Sequence, residues 1–299
     1  MRVRNKSGDV TKRPAAVIRN ELRDMNENNL HRTDLRNVSL SLHRESRKHL
    51  ATLPKSREDT HAAIEILDTM TNKNEQFLIV NNQESGIIIF STETNVTCLC
   101  NDVEELFIDG TFKCCARYFY QLYTIHGGKK GNYVPLVFAL LPCKSEMCYQ
   151  KMWKFITDYC TERNVVLSPR IIHIDFEKAM HNAVLSTFPN TSIMCCRFHL
   201  SQNVWKKIQS LGLIGKWLSK FFGLPFLSHV EVENSFVEDT MFDAPNDDKC
   251  SKFADYVLEN YIMDTSCFPP CMWASVPDRN CSRTNNGPES FRFAEKNRG

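Results

Sequence analysis

The chain has 299 residues, of which 42% are hydrophobic and 10% aromatic, a composition typical of one large or two ordinary globular domains. No apolar run approaches the roughly 18 residues of a membrane span, and the first residues lack the apolar stretch of a signal peptide, so we expect neither membrane association nor secretion. Thirteen cysteines at irregular spacing predict reduced thiols in the cytosol or nucleus rather than a disulfide framework.

Charge is distributed unevenly along a chain whose formal net charge is +2. Residues 1–60 contain 14 Lys and Arg against 8 Asp and Glu, a net of +6, which leaves 23 against 27, a net of −4, for the rest. A basic segment can follow DNA phosphates, because Lys and Arg release condensed counterions. A solvated helical surface explains the same mixture of signs equally well.

The first part of the chain has helical spacing over 14–28 and 33–50, then the linker LATLPKSREDT around Pro54 and a further helix over 58–71. The pattern then becomes β-rich, since QFLIV and GIIIF predict two strands around the polar turn NNQESG. A strand over 104–109 follows. Two more β-rich runs, YFYQLYTI and NYVPLVFALL, are separated by the predicted turn HGGKKGN.

Helices and strands alternate after this point. A helix is predicted over 146–162, and residues that can share one of its faces are Met147, Met152, Phe155, Ile156 and Tyr159. We expect its aromatic residues, with Trp153 among them, in the core rather than on a nucleic-acid stacking surface. A strand over 170–175, a helix over 177–187, the strand SIMCC and a helix from about 199 complete the series.

This order of elements predicts a mixed sheet with helices on its faces. Three strands joined by short turns form an antiparallel meander, and the later strand–helix–strand crossovers require parallel pairing. If the strands that end at Asp109 and Asp175 are neighbours, both carboxylates lie at the carboxyl edge, where open α/β sheets bind ligands. The spacing of neighbouring strands, about 4.8 Å, suits two metals about 3.5–4 Å apart. The RNase H-like fold has this arrangement and needs one more acid from a later helix.

Four motifs make the comparison more specific: IDGTFK, HIDFEKAMHNA, CRFHLSQNVWKKIQS and SRTNNGPES. In this order they resemble the transposase domain of Mutator-like elements (MULE), a branch of the DDE transposases with an RNase H-like core. The resemblance covers roughly residues 75–291. It implies that Asp109, Asp175 and Glu289 form the catalytic metal site, and that Cys196 and His199 form the C-x-x-H pair of the family.

Other roles remain open for the acidic residues. Asp109 could be a turn residue before Gly110, and Asp175 could cap the helix that begins at Phe176 or Glu177. Glu177 offers a second carboxylate beside Asp175, which we expect to contact the metal ligands or the substrate. The GPES motif places Glu289 near a helix start, although without the resemblance it would be an ordinary surface residue.

The C-x-x-H pair also allows a zinc interpretation, because thiolate and imidazole at this spacing can share a metal. Further thiols occur at Cys267, Cys271 and Cys281, but nothing in the sequence indicates that they lie near Cys196 in the folded protein. A structural zinc site needs four ligands. We therefore favour a local role, in which His199 contacts a metal-bound phosphate or hydrogen-bonds to a carboxylate.

Four segments are predicted. A basic helical N-terminal segment with its linker spans 1–72, an RNase H-like core spans 73–199, and a helical insertion spans 200–281. The start of a closing core helix spans 282–299, and we expect it to be truncated because the chain stops ten residues after Glu289. The insertion also contains four lysines that can contact DNA phosphates: Lys206, Lys207, Lys216 and Lys220. The alternative is that they belong to a solvated amphipathic face.

The resemblance implies a nuclear DDE transposase, or a protein derived from one, that cuts and joins double-stranded DNA by two-metal phosphoryl transfer with Mg²⁺ or Mn²⁺. The alternative is a catalytically inactive, domesticated DNA-binding or regulatory protein that keeps the fold. The lack of a zinc-binding recognition pattern before residue 98 favours that alternative. A generic RNase H-like nuclease is a third class, disfavoured by the large insertion. Homo-oligomerisation stays open.

Overall fold

The computed structural model describes Leu40 and residues 53–276 except 104, 112–114 and 130–131, and it gives only the main chain of Lys129 and Asn132. The helices predicted over 14–28 and 33–50, apart from Leu40, therefore lie outside the described residues, as does the predicted closing segment 282–299. The chain divides into two compact units, 1–59 and 60–299. All the strands named below belong to the second unit.

Seven strands form one mixed sheet in the described part of the chain. They are β1 (Leu78–Asn82), β2 (Ile87–Phe90), β3 (Glu105–Thr111), β4 (Gln121–Lys129), β5 (Asn132–Leu141), β6 (Ile171–Ile174) and β7 (Ser192–Cys195). Their spatial order is β1-β2-β5-β4-β3-β6-β7. The β3–β6 and β6–β7 pairs are parallel and the other pairs antiparallel. The predicted RNase H-like mixed sheet is confirmed.

Five helices lie along the part of the chain that builds the sheet: α1 (Arg57–Ile66), α2 (Glu93–Asn101), α3 (Glu146–Glu162), α4 (Lys178–Thr187) and α5 (Arg197–Leu211). The α1 helix ends earlier than the predicted 58–71. No helix within the described ranges is long and apolar enough to cross a membrane.

The predicted insertion is helical wherever it is described. Two 3₁₀ segments, Lys216–Phe222 and Leu224–Phe226, are followed by α6 (Val232–Ser235) with a π-helical continuation, Phe236–Met241. The next helix, α7 (Asp248–Val257), also continues as a π-helix, Leu258–Ile262, before a last 3₁₀ turn, Pro270–Met272. Between 200 and 276 no strand occurs, as the prediction of a helical insertion requires.

The α2 helix is absent from the sequence prediction, which placed nothing between β2 and β3. It has nine residues, and of its side chains only Val96 and Leu99 are buried, so its apolar periodicity is weak. The start of α2 has a clearer signal than its apolar face, because the Thr92 side chain accepts a hydrogen bond from the Asn95 amide. A Thr at the N-cap followed by an acidic first turn is the signal that could have identified this helix.

The α3 helix has the predicted bounds, but one residue assigned to its inner face is wrong. Met147 is 63% exposed. The buried face consists of Cys148, Tyr149, Met152, Trp153, Ile156 and Cys160. The spacing of apolar residues locates the buried stripe of a helix only to within about one residue. The sequence therefore assigns Met147 to the buried stripe of α3, although it lies outside this stripe. The core assignment of Trp153 is confirmed, because that side chain is fully buried.

Both faces of the sheet are covered, which explains the uninterrupted apolar run of β2. Ile87 and Ile89 belong to the main core, whereas Ile88 between them packs in a separate cluster with Phe119 and Leu140. Ile64 of α1 packs against that second cluster. Because successive residues of a strand point to opposite faces, a strand buried on both sides has no polar alternation.

The stretch NVWKKIQSLGLIGKWLSKFF, residues 203–222, is divided between two elements. The α5 helix ends at Leu211, and Gly212 takes a left-handed conformation with φ of 65° while its amide closes the last turn. Glycine adopts this conformation without the steric cost that other residues meet. The residues after Gly215 form a 3₁₀ segment instead, so the four candidate lysines lie on two separate elements.

Candidate active site at the carboxyl edge of the sheet

The pairing of β3 with β6 places Asp109 and Asp175 at the same level of the sheet. The parallel register joins Glu105 to Ile171 and Phe107 to His173, an offset of 66 residues (171 − 105). Asp175 follows the last residue of β6, and its separation from Asp109 is also 66 (175 − 109). Continued by two residues, the register therefore puts these carboxyl-bearing residues side by side on strands about 4.8 Å apart.

Main-chain hydrogen bonds fix both aspartates. Thr124 of the neighbouring β4 strand donates its hydroxyl to the Asp109 carbonyl at 3.2 Å. His181 of α4 donates its Nε2 hydrogen to the Asp175 carbonyl at 2.8 Å. Asp109 is only 4% exposed, and Asp175 is half-buried. Both contacts use the carbonyl oxygen rather than the side chain, so changing a carboxylate to an amide leaves them in place.

Negative charge is concentrated at this edge of the sheet. The pKa of Tyr123 lies well above its usual value, first because the ring is buried and then because of the neighbouring charges of Asp175, Tyr149, Glu177 and Asp109. Burial also raises the pKa of Glu177, and the charge of Asp175 adds to the effect. These shifts place three carboxyl groups around one tyrosine, where cations would relieve their mutual repulsion.

Glu177 is held by a chain of hydrogen bonds from the sheet. The Gln121 amide donates to the Tyr149 hydroxyl at 2.8 Å, and this hydroxyl donates to Glu177 Oε1, also at 2.8 Å. Lys144 Nζ lies 3.7 Å from Glu177 Oε2. Sequence reasoning missed both Gln121 and Tyr149, which come from β4 and α3. Glu177 lies beside Asp175, as expected, but its part in metal or substrate binding stays a prediction.

We expect Tyr149→Phe to lower the free energy of unfolding by about 1–3 kcal/mol, because it leaves a buried amide and a half-buried carboxylate without their shared partner. Urea denaturation followed by fluorescence measures this. Tyr159→Phe on the same helix is the control, since its hydroxyl makes no hydrogen bond in the part of the chain that the structure describes. Equal losses in the two variants would contradict the importance of this contact.

The interpretation of Asp175 as a helix cap is wrong. The N-cap of α4 is Glu177, and its side chain makes no capping hydrogen bond. The chain turns between Asp175 and the helix, so Asp175 belongs to the strand end rather than to the helix start. In this position Asp175 does not serve as a helix cap, a role that would compete with metal binding.

Gly110 explains why glycine follows the first aspartate. A Cβ atom at this position would lie 3.0 Å from Gln121 Oε1 and 3.0 Å from the Tyr123 ring. Both neighbours are almost completely buried, so neither can move away easily. Gly110 is thus required by close packing within the sheet, and Asp109 lies inside β3 rather than in the turn that its neighbour glycine suggested.

A hydrogen bond between side chains joins β3 and β6 further from the edge. His173 Nε2 lies 3.1 Å from Glu105 Oε2, and the His173 ring stacks on Phe107 with centroids 4.1 Å apart. The hydrogen bond from His173 lowers the pKa of Glu105, although partial burial opposes it. These contacts join β3 to β6 two to four residues before the aspartates.

The Glu105 contact predicts a dependence of stability on pH. A carboxyl group whose pKa is lower in the folded protein stabilises it above the unfolded value, about 4.3 for Glu, and loses this effect as pH falls through the folded value. We expect Glu105→Gln to reduce the loss of stability between about pH 5 and pH 3. Urea unfolding at a series of pH values measures the slope, and identical slopes for wild type and variant would contradict the prediction.

The C-x-x-H pair lies next to the same edge. Cys196 is the N-cap of α5, is 4% exposed, and donates its amide to the Ile174 carbonyl at 3.2 Å. His199 lies in the first turn of α5. Because Ile174 immediately precedes Asp175, the pair adjoins the second aspartate. Its proposed contact with phosphate or a carboxylate stays a prediction.

The structure brings one further thiol to this region. Burial raises the pKa of Cys195, and the charges of Asp175, Cys196 and Cys271 act in the same direction. The Pro270–Met272 turn, which contains Cys271, contacts β7 next to the C-x-x-H pair, which the sequence could not show, while Cys281 is outside the described residues. Within the described ranges, no group of three or more His, Cys, Asp and Glu side chains is arranged to hold a metal ion.

The four lysines proposed to contact DNA differ in their surroundings. Lys207 Nζ lies 4.7 Å from the centroid of the Tyr256 ring, and Lys220 donates to the Asp239 carbonyl at 2.8 Å and pairs with Asp243. Lys206 and Lys216 are exposed. Two of the four are therefore engaged within the protein, and the exposed two are the better candidates for phosphate contacts.

A cavity of about 1060 Å³ lies elsewhere. It is lined by residues of β1, α2 and the end of α3, among them Glu75, Glu93, Asp102, Tyr159 and Arg163. None of its lining residues belongs to the aspartate edge. The cavity is therefore separate from the candidate active site.

Residues 105–203 match the family model of the MULE transposase domain. The match begins at the first residue of β3 and ends within α5, so it includes Asp109, Asp175, Cys196 and His199. It covers 99 residues (203 − 105 + 1), about a third of the chain. No curated protein matches the chain.

Proposed function

We propose that this chain, whose residues 105–203 match the MULE transposase domain, is a MULE-type DDE transposase or a protein derived from one, acting on double-stranded DNA in the nucleus. The observation that carries the proposal is the common offset of 66 residues, which aligns Asp109 with Asp175 on neighbouring parallel strands. Carboxylates at the carboxyl edge of such a sheet are well placed to act on a bound ligand.

The donor set suits hard divalent cations. In this proposal Asp109 and Asp175 would hold Mg²⁺ or Mn²⁺, and Glu289, outside the described residues, would be the third ligand. Carboxylate oxygens are the protein ligands that Mg²⁺ prefers. Such ions, when bound, neutralise phosphate charge and activate water for in-line displacement at a phosphodiester.

The residues around the aspartates would orient them. Thr124 and His181 fix the main chain at Asp109 and Asp175 through the two carbonyls. Tyr149 and Lys144 restrain the Glu177 carboxylate next to them. Without cations this edge repels the phosphates of DNA, so binding of DNA here should depend on divalent ions.

Contacts with the DNA backbone would come from other residues. Lys206 and Lys216 are exposed and can bind phosphates independently of sequence. DNA affinity should therefore fall steeply as salt increases, and more steeply in wild type than in a Lys206→Ala, Lys216→Ala double variant.

Nicking of supercoiled plasmid DNA tests the proposal. Purified protein should convert supercoiled into open-circular DNA with Mg²⁺ or Mn²⁺ but not with EDTA. The same ions should raise the melting temperature of the protein, because a ligand bound only by the folded state stabilises it by mass action. If neither effect occurs while salt-dependent DNA binding persists, a non-catalytic DNA-binding protein with the transposase fold is the better interpretation.

A further inference from the structure

Two thiols from different helices lie in contact at the end of the molecule where α2 and α3 terminate. The Sγ atoms of Cys100 and Cys160 are 3.6 Å apart. Both residues are free cysteines. Cys100 lies near the end of α2 and Cys160 in the last turn of α3. The sequence, which separates them by 60 residues (160 − 100), gives no sign of this contact.

The short distance between the two sulfur atoms favours a disulfide. Two cysteines can be bridged without backbone movement only if their Cβ–Sγ bonds converge, and an S–S bond is about 2.03–2.05 Å long. The two Sγ atoms are already 3.6 Å apart. Small rotations of the side chains about χ1 have to close the remaining gap of about 1.5 Å.

The two thiols differ in pKa and in exposure, so each can take a different step in an oxidation. The hydrogen bond with Cys160 lowers the pKa of Cys100, whereas the same hydrogen bond, together with burial, raises the pKa of Cys160. Cys100 is only partly buried, while Cys160 is 1% exposed. The thiolate is the reactive form of cysteine. Cys100 is thus the more accessible of the two thiols, and the buried Cys160 thiol lies in contact with it.

We propose that Cys100 and Cys160 form an oxidisable dithiol, a modification site that responds to hydroperoxides. The Cys100 thiolate attacks the peroxide, becomes a sulfenic acid and releases water or an alcohol. The Cys160 thiol then displaces water from this sulfenic acid and forms the disulfide. With hydrogen peroxide the balance is two thiols and one H₂O₂ giving one disulfide and two waters, and a dithiol reductant reverses the change.

The disulfide would enclose a large part of the sheet. The loop between the two cysteines contains β3, β4 and β5, and with them Asp109. Cross-linking a loop of this length restricts the unfolded chain strongly. The oxidised protein should therefore unfold at a temperature higher by roughly 5–15 °C, as expected for a chain of this size.

Treating the full-length protein with hydrogen peroxide tests the proposal. After remaining thiols are alkylated and the protein is digested, mass spectrometry should find peptides that contain Cys100 and Cys160 joined with the loss of two hydrogens. Dithiothreitol should separate them. The melting temperature should rise with oxidation and return on reduction.

Two variants complete the experiment. Cys100→Ser should lose both the linked peptide and the rise in melting temperature, whereas Cys98→Ser, two residues earlier on the same helix, should retain both. The proposal is overturned if oxidised wild type contains no Cys100–Cys160 peptide, or if Cys100→Ser keeps the full rise. Because the linked peptide is sought in the wild-type protein, the result does not depend on how well a variant folds.

Discussion

Asp175→Asn should reduce metal-dependent DNA cleavage on the order of 10³-fold while leaving the fold intact. The amide has the shape of the carboxylate, and His181 donates to the main-chain carbonyl of residue 175, which the variant keeps. The charge of Asp175 raises the pKa of Glu177, so the neutral amide relieves repulsion in the metal-free protein. Plasmid nicking and thermal melting, each with and without Mg²⁺, measure these effects.

The control for this variant is Asp158→Asn, which changes an exposed carboxylate on α3 that pairs with Lys154. It should nick DNA like wild type. Asp175→Asn should still bind DNA, because phosphate contacts come from Lys and Arg, but metal should raise its melting temperature less than that of wild type. Undiminished nicking by Asp175→Asn would rule out Asp175 as a metal ligand.

Phe107→Ala should lower the free energy of unfolding by about 3–5 kcal/mol. The ring is 1% exposed, stacks on His173 and meets the edge of Tyr133 at a centroid distance of 4.7 Å. Its loss leaves a cavity on the face of the sheet where it packs against His173 and Tyr133, and should also weaken stabilisation by metal, because β3 and β6 position Asp109 and Asp175. Urea denaturation with and without Mg²⁺ measures both effects.

Phe198→Ala is the matched control, because that ring is 44% exposed on α5. Its cost should stay within about 0.5 kcal/mol, as for most surface substitutions. If the two variants lose similar amounts of stability, the Phe107–His173 stack does not hold the strands together as proposed.

The neighbouring positions of β3 and β6 could be predicted from the sequence because they follow from general rules. An antiparallel meander followed by strand–helix–strand crossovers allows few sheet topologies. Each strand that ends in an acidic residue therefore has few possible positions in the sheet. The alternation of elements therefore indicated that Asp109 and Asp175 share an edge. Their alignment to the residue depends on the hydrogen-bond register, which apolar patterns on a fully buried strand do not determine.

The network around Glu177 could not be predicted in this way. Gln121, Tyr149 and Glu177 come from three elements, and successive partners are separated by 28 residues. A single hydrogen bond between side chains that are far apart along the chain produces no periodic pattern in the sequence. Tyr149 looks like any other apolar-face residue of α3, and only the folded structure shows that its hydroxyl reaches the site. His181 was missed for the same reason.

The parallel pairing of β3 with β6 also affects the order in which the molecule can fold. The β3–β4–β5 meander joins residues close in the chain, whereas the β3–β6 pair must close a loop of 66 residues and so pays a larger entropic cost before it gains contacts. During synthesis, a ribosome-bound chain can form the meander before β6 has emerged. The two aspartates therefore meet late, and the candidate active site is not assembled until β6, in the carboxyl-terminal half of the chain, has paired with β3.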